Sequence, residues 1–195
     1  MKLFDRTRNI LLAPRDEWPG IAAESASVQS LYVGYIMILA AIGPLASLVS
    51  LAVIGLGFGV GAAVVAYLYS LVGVAIVALI ADLLAPTFGG TRNYVAAVKL
   101  VAYSLTAWWV AQIALLVPVL RVVVLVGLVY SFYLFYVGVP ELKKATTDRV
   151  VPYTIIVVVA AIVLMSLIAL LAHLLGLGVG VGAGPIAIGP TGLPR

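Results

Sequence analysis

From Ser25 to Ala81 the chain carries no charged side chain, a run of 57 residues. A transmembrane helix needs about 20 consecutive apolar residues, so this run is long enough for two spans. The glycine cluster GLGFGVG at 55–61 divides it, because glycine suits a tight turn and weakens a helix interior. The pattern predicts helices over 31–54 and 62–85. A polar loop with Pro86, Gly89, Gly90 and Arg92 follows. A third helix is expected over 95–117, closed by Pro118, with Arg121 marking a short turn. A fourth is expected over 122–139, ending at Pro140, and a fifth over 153–175 after the charged segment ELKKATTDRVVP. The stretch GLGVGVGAGPIAIGPTGLPR reads as irregular.

The composition agrees with spans rather than a water-soluble core. Of the 195 residues 65% are hydrophobic and 9% are charged, against roughly 45–50% and about 25% in soluble domains. The expected fold is an all-α membrane protein with five transmembrane helices and a short N-terminal interfacial amphipathic helix. It divides into an arm over 1–30, a bundle over 31–175 and a Gly/Pro-rich exoplasmic tail over 176–195. In the arm, Leu3, Phe4, Ile10 and Leu11 share one helical face, with Asp5, Arg6 and Arg8 elsewhere. Pro14 ends that helix, and Trp18-Pro19 starts another. One reading lays the arm on the inner leaflet, with Phe4, Arg6, Arg8 and Trp18 facing lipid. The other packs it under the bundle. The apolar runs near the N-terminus are only a few residues long, shorter than the roughly 7–15 of a cleavable signal, so the first span reads as a retained signal-anchor.

Charge placement sets the expected orientation. Lys2, Arg6, Arg8, Arg15, Arg92, Lys99, Lys143, Lys144 and Arg149 fall on one side, Arg121 and Arg195 on the other. Nine against two puts the N-terminus in the cytoplasm and the C-terminus outside a cell membrane. The same cations are expected to meet anionic headgroups.

Small residues are expected to bring helices together, since apolar faces gain little from meeting in lipid. Gly43 with Ser47, Ala46 with Ser50, the series Ala62, Ala66 and Ser70, and Ala107 with Ala111 have the spacing. Pro44 should kink the first helix beside Gly43. Its freed carbonyl either lines a cavity or is met by Ser47 or Ser50. A Tyr-Ser pair recurs as Tyr69-Ser70, Tyr103-Ser104 and Tyr130-Ser131. Buried hydroxyls need partners, so these six form either a cluster tying the bundle or a polar path through it.

Catalytic chemistry is sparse. There is no cysteine, and His173 is the one histidine, with no carboxylate in its helix to help it hold zinc. GLGFGVG lacks the strand before it and the Lys-Ser/Thr after it that a phosphate loop needs. No cofactor, metal or nucleic acid is expected. The ionisable groups of interest are Asp82, Arg92 and Lys99. Asp82 falls about 30 Å along the second helix at 1.5 Å per residue, and Lys99 about one turn into the third. Asp82 is expected to pair with Lys99 or Arg92, as a boundary ion pair fixing the hairpin or as a gate.

The order PTFGGTRNYVAAVKLVAYSLTAWWVAQIALLVP, then VYSFYLFYVGVPELKKATTDRVVPYT, resembles the Yip family of Rab-interacting membrane proteins. Gly43-Pro44-Leu45, the turn at Gly89-Gly90, the tyrosines at 130, 133 and 136 and the loop before Tyr153 carry the likeness over nearly all of 10–175. The resemblance implies five spans with a cytoplasmic N-terminus. Its eukaryotic members are associated with Rab-type GTPases, vesicle traffic and membrane shaping. Two departures stand out. The arm is short, as in a prokaryotic member, and Ala107 stands where the family pattern has proline, which should straighten the third helix. The leading expectation is a non-enzymatic membrane organiser or adaptor that self-associates, its protein partner unspecified. A small transporter using Pro44, the Tyr-Ser residues and Asp82 is the second, and an intramembrane enzyme the weakest.

Overall fold

The structure, a computed structural model, describes residues 3–53 and 60–174. The glycine cluster at 55–61 lies mostly, and the tail wholly, outside the described residues. Among the described residues all regular structure is helical. Two short helices form the arm, α1 (Leu3–Leu12) and α2 (Pro14–Ala23). Five apolar helices follow, each long enough to cross a membrane: α3 (Val28–Ser50), α4 (Val60–Phe88), α5 (Tyr94–Leu116), α6 (Arg121–Lys143) and α7 (Thr147–Leu174). This is the expected all-α, five-span fold. An odd number of spans separates the two ends of the bundle.

Helix α5 is the pillar. Ala97 through Ser104 are all buried, and the helix touches α3, α4, α6 and both arm helices or the linker beyond them. Its alanines and valines let the neighbours close in. A close helix-to-helix approach is at Gly127 of α6, where an added Cβ would run into Ala111 Cβ and lie 2.8 Å from the Ala107 carbonyl. Helix α7 packs on α4 and α6 from outside and is the least buried span, so lipid solvates most of it.

Two helices are interrupted. Helix α3 has a π-helical turn at Tyr32–Ile36 and breaks at Ala41. Pro44 then sits in the first turn of the restarted segment, where its missing N–H costs least. The side chain of Gln112 fills the space over Gly43. Helix α5 has a one-residue break at Leu105, two residues before the alanine at 107. At this break the Trp108 N–H donates to Ser131 Oγ of α6 at 3.0 Å, and Thr106 Oγ1 donates back to the Ala102 carbonyl at 3.4 Å. A hydroxyl from the neighbouring helix thus gives a backbone donor a partner outside the helical ladder. Helix α6 also runs on through Pro140 to Lys143, beyond the expected end. Lys144 closes it in a left-handed conformation, φ 54°, with its N–H on the Pro140 carbonyl.

Gly127→Val should overpack the α5–α6 contact and cost about 1–3 kcal/mol. Gly61→Val, where nothing lies within 4 Å, should be neutral. Denaturant unfolding in detergent compares them; equal stability of the two variants would contradict the close crossing.

Candidate functional site at the arm end of the bundle

The loop between α4 and α5 turns because Gly89 adopts φ 74°, a left-handed conformation natural to glycine. Gly90 is pressed against other backbone, and a Cβ there would lie 2.8 Å from the Lys143 carbonyl. The same carbonyl accepts the Thr91 N–H at 2.8 Å. Helix α6 is thus stitched to the loop by main chain.

A buried ion pair completes the join. Lys143 is fully buried, and its Nζ lies 2.6 Å from Asp82 Oδ1. The same carboxylate oxygen accepts the Asn93 N–H at 2.7 Å, and Lys143 Nζ donates to the Asn93 carbonyl at 3.2 Å. Asn93 Oδ1 caps α5 by accepting the Ala96 N–H. Tyr153 of α7 donates to the Ala81 carbonyl at 2.6 Å. One carboxylate and one ammonium therefore hold α4, α5 and α6 together, with α7 alongside.

The partner of Asp82 is Lys143, not Lys99 or Arg92. Arg92 is exposed. Lys99 turns the other way, toward the arm. Its Nζ donates to the carbonyls of Ile21, at 2.8 Å, and Glu24. These carbonyls close α2, so a cation meets the negative end of a helix. Lys143 stood in the expected cation set, but nothing in the spacing marks a partner 61 residues from Asp82.

The arm is held at further points. Arg6 is 5% exposed and pairs with Glu17 and Glu24. Its guanidinium sits 5.8 Å from the centre of the Tyr103 ring. Trp18 is wholly buried, pressed with Leu100 against Gly138. Arg6 and Trp18 therefore do not face lipid; Phe4 and Arg8 are exposed. The lipid-facing reading misplaced Arg6 because the arm folds back on itself, giving that cation one carboxylate within the second arm helix and one just past its end.

The six Tyr-Ser residues do not form one cluster. Tyr69 donates to the Met165 carbonyl at 2.6 Å, joining α4 to α7, with Ser70 half-buried beside it. Tyr103 packs on Tyr35, ring centres 4.6 Å apart, and the buried Ser104 hydroxyl has no partner among the described residues. Tyr130 donates to the Leu11 carbonyl at 2.8 Å, joining α6 to the arm. Ser131 takes the Trp108 N–H and donates to the Gly127 carbonyl. Each lies on a different helix face, so adjacency in sequence spread them instead of gathering them.

Between arm, loop and α6 opens a cleft of about 720 Å³, lined by Arg92, Lys99, Lys144, Glu24, Glu141 and Asn93 among others. Its lining does not include Asp82.

Lys143→Met would leave a carboxylate buried without its cation and should cost about 3–5 kcal/mol. Arg92→Gln should be near neutral. Thermal unfolding in detergent checks both, and a stable Lys143→Met protein would remove the ion pair from its structural role.

A family model described as the Yip1 domain matches residues 8–170. Searches of the curated proteins and of the solved structures find no match. The match spans the second arm helix and nearly all of the five apolar helices, though not Arg6 of the first arm helix; the chain is a multi-pass integral membrane protein that belongs to the Yip1-domain family.

Proposed function

We propose that this is a non-enzymatic membrane organiser or adaptor of the cell membrane, with the arm end of the bundle in the cytoplasm. The observation that carries this reading is how the polar groups of the spans are used. Asp82 is spent on Lys143 and Asn93, and the Tyr69 and Tyr130 hydroxyls on backbone carbonyls. Groups closed in this way hold segments together and are not free to relay ions or solutes. The same pairing counts against the transporter reading, as does a cleft whose lining omits Asp82.

The cleft with Arg92, Lys99 and Lys144 offers anionic headgroups or a protein partner a basic contact at the cytoplasmic face. Self-association falls to the half-exposed Ala62, Ala66 and Ser70 of α4. The other small-residue faces are occupied within one chain, Gly43 by Gln112 and Ala107 and Ala111 by Gly127.

In proteoliposomes the protein should pass no solute or ion above empty-liposome leakage, with Asp82→Asn no different. Flux that Asp82→Asn abolishes would overturn the organiser reading. Stepwise photobleaching of labelled protein in the same liposomes should give more than one step per particle, and single steps throughout would remove self-association.

A further inference from the structure

The arm sits deep. Tyr130 binds the Leu11 carbonyl, and Tyr130 lies 13 residues from the arm end of α6 at Lys143, about 20 Å at 1.5 Å per residue. Helix α1 also packs on the Thr106–Ala111 segment of α5. Thr106 is 12 residues beyond Tyr94, about 18 Å in. Two helices thus give the same distance from the arm end of the spans, to be set against a hydrocarbon layer about 30 Å thick. Yet Asp5, Arg8 and Asp16 of this arm are exposed. Charges standing in undisturbed hydrocarbon are expensive, and thinning of the bilayer with entry of water relieves the cost.

A second observation marks the same flank. Tyr136, Tyr133 and Tyr130 descend α6 from the arm end, the first two exposed and the last two with ring centres 5.5 Å apart. Tyrosine settles at headgroup depth. Here it runs down one side of the bundle toward the arm tip. Arg15 lines a cavity of about 310 Å³ with Tyr136 and Glu141, placing ionisable groups along the same descent.

We propose that the docked arm thins the bilayer locally: phospholipid headgroups and water of the arm-side leaflet are drawn down the α6 flank to the level of Tyr130. The α7 flank, clad in Ile155, Val159, Ile162 and Leu170, keeps full hydrocarbon thickness. The molecule is then asymmetric about its own axis, with one thinned flank and one ordinary flank. This deepens the organiser reading by giving it a physical action on lipid, and it rests on the multi-pass topology rather than on any partner.

The absence of cysteine in the chain makes single-site spin labelling direct. Arg8→Cys, Tyr133→Cys and Ile156→Cys proteins are labelled, placed in phosphatidylcholine bilayers in heavy water, and read by deuterium echo modulation. Positions 8 and 133 should show about threefold or more the water signal of position 156, which lies a similar number of residues from the arm end but on the apolar flank. Equal, low signals at all three would overturn the proposal. A wet position 8 with a dry position 133 would overturn it too, because α6 cannot swing out and the arm would simply have left the bundle. Either failure leaves the flux result, and with it the organiser reading, untouched.

Discussion

A cation buried near a bilayer must be met by groups of the protein itself, and among the described residues there are three: Arg6, Lys99 and Lys143. Each reaches a segment distant in sequence or folded back upon it. Lys143 takes Asp82 and the Asn93 carbonyl, Lys99 takes the last carbonyls of α2, and Arg6 takes Glu17 and Glu24. A buried ammonium or guanidinium without its partners is costly, so these three sites oblige the loop, the arm and the ends of α4, α5 and α6 to come together. The rest of the bundle is held by close packing around glycine and alanine, with single hydrogen bonds such as Tyr69 to Met165 and Trp108 to Ser131 between helices.

This division separates two kinds of contact. Away from the arm, small side chains set how near α5 and α6 can lie, as at Gly127. At the arm end, charge and main-chain hydrogen bonds decide which segments meet. Helix α7 stands largely outside both systems, fastened through Tyr153 to Ala81 and through Met165 to Tyr69.

The spans were legible because lipid imposes a length and an apolar character on every helix that crosses it, and runs such as 25–81 satisfy both without ambiguity. Charge-bearing residues of the arm end were legible as a set: Asp82, Arg92 and Lys99 all lie there. Their pairing was not. An ion pair depends on which helices lie side by side and at what rotation, and Asp82 meets Lys143 only because the Gly89-Gly90 turn lays the loop across the end of α6. The fate of Arg6 and Trp18 was hidden for a related reason. An amphipathic pattern reports a helix with two faces, but a hairpin of two such helices makes a third environment, buried and charged, that neither pattern contains alone. At the break in α5, Thr106 was visible in the sequence, but its companion, the Trp108 N–H on the Ser131 hydroxyl of another helix, was not.

The central claim is that buried cations tie the arm to the bundle. Its most direct test is the distance between spin labels at Leu12→Cys on the arm tip and Asp148→Cys beyond α6, both exposed, measured by pulsed dipolar spectroscopy in bilayers. The account predicts one narrow distance population that broadens markedly when Arg6→Leu and Lys99→Met are added. A narrow population that survives the loss of both cations would contradict it, and would leave the arm held by apolar contacts alone.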